Sequence, residues 1–515
     1  MKAKTGTAKS DKKATKAKQA KREKTLSKKE AKKKNVAKSE AMKPSEKALE
    51  KLRVDLLTAQ SKLREAAERP FVVIICGMAA AGKGEVANLL GEWMDTRYIR
   101  TVGYDPRALV GKIPEAVLWQ NLPAKGLGAI FFGGWYASAF YEGYSREVQE
   151  RGMARANELE RMLVDDGVIV VKLWLDLTKK QQKERLTTQS ANKDSRWRVS
   201  KQDWNENRQY TAFKKRRDRV IALTSTTTAP WHIIPAGNIE ERNRMAATAV
   251  LQALTEPSNH GVQPEKPVLP IPDTKAVKKA SELATMDRNV RLSKEKYAEK
   301  AEVVLGSINR LLRSPKFARR CLVLALEGMD AAGKGGAIRR LVAAIDARIL
   351  RIYPIAAPSE EERRYPYLWR FIRNMPEHGH IAIFDRTWYG RVLVERVEGF
   401  AKPHEWQRAY REINEFEKAL TDSGAIVVKC WLAITPDEQL ARFEERKAMP
   451  TKQYKITKED MRNRKQWHNY ELAASDMIEH THTKYAPWNL ISANDKDTSR
   501  LDIMKAIEKA LKDSL

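Results

Sequence analysis

The stretch EGMDAAGKGG, residues 327–336, decides how this chain is read. It follows the apolar run Cys321 to Leu326 and precedes Ala337 to Ala344, the order of a strand, a glycine-rich turn and a helix. In that setting successive backbone N–H groups and a helix N-terminus converge on an anion. Gly328, Gly333 and Lys334 keep the G-x-x-x-x-G-K spacing of a phosphate-binding loop. Gly335 stands where such a loop carries Ser or Thr for a metal ion, so another oxygen is needed, and Asp330 inside the loop supplies one. A plain glycine-rich turn is the bland alternative. A second segment argues against it: Ile381 to Phe384 reads as a short strand ending in Asp385-Arg386, and P-loop enzymes place a metal-binding carboxylate at such a strand tip. Asp330, Asp385, Lys334 and Arg386 would then surround a phosphate and its ion.

The loop occurs twice. Phe71 to Cys76 leads into Gly77-Met-Ala-Ala-Ala-Gly82-Lys83-Gly84. Ile130-Phe131 with Trp135-Tyr136, Gly167 to Trp174, and Ala229-Pro230-Trp231 then match Ile383-Phe384 with Trp388-Tyr389, Gly424 to Trp431, and Ala486-Pro487-Trp488, at an offset that drifts from 251 to 257. A repeat of this length means two like domains. The copies differ where chemistry would sit. Asp330 is matched by Ala79, and Asp385-Arg386-Thr387 by Phe132-Gly133-Gly134. Phosphoryl transfer depends on charge neutralisation, so catalysis is expected in the second copy alone. The first is left as a structural, dimer-mimicking or anion-binding partner.

In both copies apolar runs alternate with long amphipathic segments, which predicts helices covering a parallel sheet. The fold class is therefore α/β: two tandem P-loop kinase-like domains with helical lids. Residues 1–45 are expected to be a disordered Lys-rich tail, 46–256 the degenerate domain, 257–281 a Pro-rich linker and 282–515 the catalytic domain, with helical lead-ins at Glu46 to Arg69 and Glu282 to Arg313. After the strand Ile426 to Leu432, a helix near Asp437 to Glu445 carries Arg442 and Arg446 on one face. Either a solvated face or an arginine-bearing lid over phosphates explains them. Arg446 is matched by Gln189 in the first copy, whereas Arg442 is kept as Arg185.

Net charge is +30 over 515 residues, and the first 40 hold 16 Lys and Arg against 4 Asp and Glu. Such a surface draws nucleic acid, anionic membrane or a smaller polyanion. No apolar stretch approaches the ~18 residues of a membrane span, and no signal-peptide core is present at the N-terminus. Cys76, Cys321 and Cys430 lie in strand-like runs and read as buried apolar residues. A reducing, cytoplasmic location is expected. Trp369, Phe371, Trp388 and Trp431 read as core residues in preference to base-stacking platforms.

With these pieces placed, GMDAAGKGG at 328–336, PSEEERRYPYLWRF at 358–371, IFDRTWYGRVLVERVEGF at 383–400 and APWNLISANDK at 486–496 resemble the polyphosphate kinase 2 family. The first half is similar to it more weakly. A fused pair with a degenerate first copy resembles the polyphosphate:AMP phosphotransferase subgroup, which makes ADP from AMP and inorganic polyphosphate. The resemblance implies that Asp330 and Asp385 hold Mg²⁺, or Mn²⁺ in its place. It implies that Lys334 and Arg386 bind the phosphates in transit, that backbone N–H groups from Gly333 to Gly335 complete the cradle, and that Arg442 and Arg446 belong to the lid. Arg391 and Glu395, four apart, either orient the nucleotide or pair with each other. Inorganic polyphosphate and AMP/ADP are then the expected partners. Membrane is not among them, and nucleic acid is expected to be held only non-specifically by the tail. A monomer or low-order homo-oligomer is expected. Competing readings are polyphosphate-dependent phosphorylation of nucleoside diphosphates, an ATP-dependent nucleoside monophosphate kinase, and a non-catalytic polyanion binder on a kinase fold.

Overall fold

The computed structural model describes residues 44–103, 114–140, 145–256, 282–288, 290–450, 453 and 458–515. The expected tail and Pro-rich linker lie outside the described residues, apart from Pro44 and Ser45. In the first half, strands β1 (Phe71–Gly77), β2 (Ile99–Gly103), β3 (Gly128–Phe132), β4 (Ile169–Asp176) and β5 (Trp231–Pro235) form an all-parallel sheet ordered β2-β3-β1-β4-β5. In the second, β6 (Cys321–Gly328), β7 (Leu350–Pro354), β8 (Ile381–Asp385), β9 (Ala425–Ala433) and β10 (Trp488–Ser492) repeat it as β7-β8-β6-β9-β10. The central strands are apolar nearly end to end because helices cover both faces of each sheet. Each glycine-rich loop leaves the tip of the central strand, at the crevice where ligands bind in open parallel sheets.

The lead-in helices differ in their limits from the sequence expectation. The first spans Pro44–Ala66 and stops before Ala67, whose φ is +49°. The second is broken into Glu282–Thr285 and Lys294–Leu312, because the Ser293 hydroxyl accepts the Lys296 N–H and starts a new helix there.

Alternation along β6 divides the core. Leu322, Leu324 and Leu326 pack with Ile308, Ile507 and Leu511 beneath the helices Lys294–Leu312 and Lys496–Ser514. Cys321, Val323 and Ala325 face the other way, into a cluster that continues through Leu368, Trp369 and Ile413 to Leu118, Leu159 and the first sheet. The two halves therefore share a core. Equivalent helices meet at this junction: Arg146–Asp165 packs on Pro403–Asp422, and Pro114–Gln120 on Trp369–Ile372. Arg155 donates to Asp422 at 2.6 Å, Arg411 pairs with Glu158, and Arg408 pairs with Asp166. This is the arrangement of an isologous dimer contained in one chain.

Each half also buries the same polar network. Lys429 Nζ donates to Glu417 at 2.8 Å, to the Tyr389 hydroxyl at 2.9 Å and to the Thr481 carbonyl at 2.7 Å. Trp388 Nε1 donates to Glu417, and Trp488 Nε1 to the Thr481 hydroxyl. Lys172, Glu160, Tyr136, Thr224, Trp135 and Trp231 repeat these contacts. The expected core residues Trp369, Phe371, Trp388 and Trp431 are buried, as are the three cysteines, whose thiols burial pushes up to about 12.

Candidate active site

The second-half loop runs from the tip of β6 into the helix Lys334–Val342. Its turns need left-handed backbone: Ala331 has φ +63° and Gly333, which caps the helix, φ +110°. Gly328 lies against β9, where an added Cβ would come within 2.5 Å of the Leu432 carbonyl oxygen. The Lys334 ammonium is buried under the loop and donates to the Gly328 carbonyl at 2.7 Å. Burial and the nearby Arg386 guanidinium lower its pKa, while Asp385, Asp330 and Glu327 oppose that shift.

The structure brings Asp330, Lys334, Asp385 and Arg386 together around the loop, with Asp330 and Arg386 lining its cleft. Arg386 donates to Asp330 Oδ1 at 2.8 Å. Asp330 Oδ2 accepts from Asn463 Nδ2 at 2.8 Å, and the Asp330 carbonyl accepts from Gln439 Nε2 at 3.0 Å. Asp385 lies within reach of the charges on Lys334 and Arg386. A Cβ on Gly335 would stand 4.0 Å from Asp385 Oδ2, so the seat of the usual loop hydroxyl abuts this carboxylate. Arg386 itself adopts φ +64°, an uncommon conformation for a side-chain-bearing residue. Glu327, Asp330, Arg386, Trp431, Asn463 and Tyr470 line an open cleft.

Among the described residues no three His, Cys, Asp or Glu side chains gather into an all-protein metal cage. The aspartate pair nonetheless suits a hard divalent cation that takes its other ligands from phosphates and water.

Arg442 departs from the expectation of a lid cation. It is buried, and its guanidinium donates to the carbonyls of Ala331 at 2.9 Å, Ala332 at 3.0 Å, Ala493 at 2.6 Å and Asn494 at 2.9 Å, and to Glu438. The reason is the reach of the helix Pro436–Ala448. Its Thr435 cap starts it beside the loop, so the residue two turns on points beneath the loop and braces it. Arg446, one turn further, is half-buried with its guanidinium over the Phe443 ring. Arg391 and Glu395 pair at 3.1 Å, with Arg391 over the Tyr367 ring. In the polar segment Lys447 to Lys455, residues 451, 452, 454 and 455 fall outside the described residues.

Sequence reasoning missed Asn463, Gln439 and the buried Glu327. The first two reach the loop from more than a hundred residues away and leave no local spacing. Glu327 had a signal, an acid closing an otherwise apolar strand.

The first-half loop repeats the lysine and arginine contacts of the second and adds a carboxylate of its own. Lys83 donates to the Gly77 and Met78 carbonyls at 2.9 and 3.0 Å, and Arg185 to the Ala80 carbonyl at 3.1 Å. Glu206, at the position matching Asn463, accepts the Ala79 N–H at 2.7 Å and Gln182 Nε2 at 2.8 Å. A carboxylate thus closes onto the first-half loop. The buried Arg242 donates to the Ala81 carbonyl at 3.2 Å and pairs with Glu85 at 2.8 Å.

A family model described as polyphosphate kinase 2 matches residues 39–260 and again 291–515. The chain belongs to the polyphosphate kinase 2 family. Within that family it is similar to a polyphosphate:AMP phosphotransferase of Pseudomonas syringae pv. tomato, 43% identical over 90% of this chain and 95% of the relative. A polyphosphate:AMP phosphotransferase of Pseudomonas aeruginosa is 41% identical over 90% and 95%. A solved structure described as a polyphosphate kinase 2 of P. aeruginosa superposes with a TM-score of 0.80 at 40% identity, covering 91% of this chain and 96% of that one. The kinase-like tandem fold of the family is thus present in both halves. No described helix is long and apolar enough to cross a membrane.

Proposed function

We propose that the chain is a polyphosphate:AMP phosphotransferase that moves a terminal phosphoryl group from inorganic polyphosphate to AMP, giving ADP, at the second-half cleft. The observation that carries this reading is the full-length likeness to phosphotransferases of that name combined with Asp330, Lys334, Asp385 and Arg386 gathered at one loop. A pure polyanion binder would need the cations but not the paired carboxylates.

Donor phosphates lie on the N–H groups from Gly333 to Gly335 and the start of the helix behind them. Lys334 leaves its carbonyl partners to meet a phosphate oxygen, and Arg386 exchanges Asp330 for the phosphoryl group in flight. Asp330 and Asp385 would hold Mg²⁺, or Mn²⁺ in its place, and that ion would supply charge neutralisation for the phosphates. Asp330, kept in place by Asn463, also orients the AMP phosphate. That acceptor is already anionic, so no strong general base is required. Arg446 closes over the phosphates with the lid, Arg442 secures the loop they rest on, and Arg391 with Glu395 orients the nucleotide. A basic protein also concentrates a polyanionic donor at its surface.

The deciding assay supplies purified protein with AMP, Mg²⁺ and long-chain polyphosphate, beside ATP as donor and a Lys334→Ala control. Rapid ADP formation from polyphosphate, lost in the control, supports the reading. Turnover with ATP alone would mean an ordinary nucleotide kinase, and silence with both donors would mean a binding protein.

A further inference from the structure

Glu327 is the last side chain of β6 before the loop and is almost wholly buried, yet none of the roles above uses it. Its Oε1 accepts two hydrogen bonds from one residue, the Thr387 backbone N–H at 2.7 Å and the Thr387 hydroxyl at 2.8 Å. The Thr387 hydroxyl in turn accepts the Tyr389 N–H at 3.2 Å. Thr387 directly follows Arg386, whose own N–H is held by the Leu326 carbonyl at 3.1 Å. The strained turn is thus pinned on both sides by consecutive residues of β6.

The first half is an internal control. At the equivalent turn the Gly133 N–H is held by the Ile75 carbonyl at 3.0 Å, and φ is +70° at Gly133 against +64° at Arg386. One residue on, the backbones part: Thr387 has φ −143° and Gly134 φ +50°. Cys76 replaces Glu327 there, and its thiol reaches only the Gly133 carbonyl at 3.7 Å. The acceptor, the residue it anchors and the strained arginine have all been exchanged together.

We propose that Glu327 is a positioning residue of the transfer site: by accepting both donors of Thr387 it fixes the path out of the left-handed Arg386, so that the guanidinium is presented to the cleft beside Asp330. Without the clamp Thr387 is free to leave its extended conformation, and the guanidinium is no longer held beside Asp330. The kinetic part of this inference rests on the function proposed above, and the stability part does not.

Three variants test it. In Glu327→Met the two donors lose their acceptor, and kcat is expected to fall by about tenfold or more while KM for AMP and for polyphosphate stays within about twofold. In Glu327→Gln the amide oxygen can still accept both donors, and most of the lost kcat is expected to return. Equal damage in Met and Gln, or wild-type kcat in Met, would overturn the proposal. Glu327→Cys is then compared by thermal unfolding in the natural chain and in Arg386→Gly/Thr387→Gly. It is expected to lower the midpoint in the first background and to have little effect in the second. Equal losses in both would show that Glu327 does not act through this turn, whatever the activity assays give. Coupled unfolding without polyphosphate-dependent turnover in the natural chain would fault the proposed function and leave the clamp standing.

Discussion

Arg386 holds a backbone dihedral that L-residues other than glycine avoid at a cost of about 1–2 kcal/mol. The first half meets the same φ with Gly133, so the fold asks for the turn and the chemistry asks for the arginine. Replacing Arg386 by Ala or by Gly removes the same guanidinium but leaves the strain only in the Ala variant. Both are expected to lower kcat by about 10²-fold or more, while chemical denaturation finds Gly more stable than Ala by about 1 kcal/mol. Comparable stability of the two would show that the turn relaxes when the guanidinium is absent. The residue was legible in the sequence as a cation at a strand tip. Its dihedral was not, because nothing in Asp385-Arg386-Thr387 marks a left-handed turn except the paired glycines at the same place in the other copy.

At the scale of elements, the motifs that reveal the duplication, the glycine-rich loop apart, turn out to encode the buried network and not the reaction. Trp-Tyr after β3 and β8, the lysine inside β4 and β9, and the tryptophan opening β5 and β10 all converge on one buried glutamate–lysine pair in each half. Removing the cation leaves an uncompensated buried carboxylate, so Lys172→Met and Lys429→Met should each cost about 3–5 kcal/mol in denaturant unfolding. A much smaller loss in the first half would mean that its core is not under the same constraint. The loops diverge where the cores agree. Glu206→Asn, which installs the second-half residue, should free the Ala79 N–H and raise the calorimetric stoichiometry of tripolyphosphate toward two per chain. A stoichiometry unchanged at one would mean that Glu206 is not what closes the loop. The strands on either side of the loop, the loop helices and the place of Asp385 at a strand tip were readable from local spacing. The brace by Arg442 and the support of Asp330 by Asn463 and Gln439 were not, since both depend on how the helices after β9 cross the loop.

Across the whole molecule, one arginine at the junction serves acids from both halves. Arg408 donates to Glu412 at 2.9 Å, pairs with Asp166, and lies 3.8 Å from Asp165. Burial, with Asp166 and Asp165 alongside, pushes the Glu412 carboxyl up to about 8 against the pull of Arg408 and Arg391. An unfolded glutamate titrates near 4.3. Between these values the native chain holds a proton that the unfolded chain has released, so this group's stabilising contribution is complete below the lower value and is lost as pH rises toward about 8. Glu412→Gln should flatten that part of the stability–pH curve measured by thermal unfolding, and an unaltered slope would assign the dependence to other groups.

The core shared between the halves has a genetic consequence. In a homodimer of identical subunits every substitution appears on both sides of the axis, so a residue that improves the contact but spoils a loop spoils both loops. Joining the copies in one chain removes that restriction and keeps the partner at high effective concentration through the linkage. One loop can then accept Glu206, Gly133 and Gly134 while the other keeps Asn463, Arg386 and Thr387. Fusion makes asymmetry heritable.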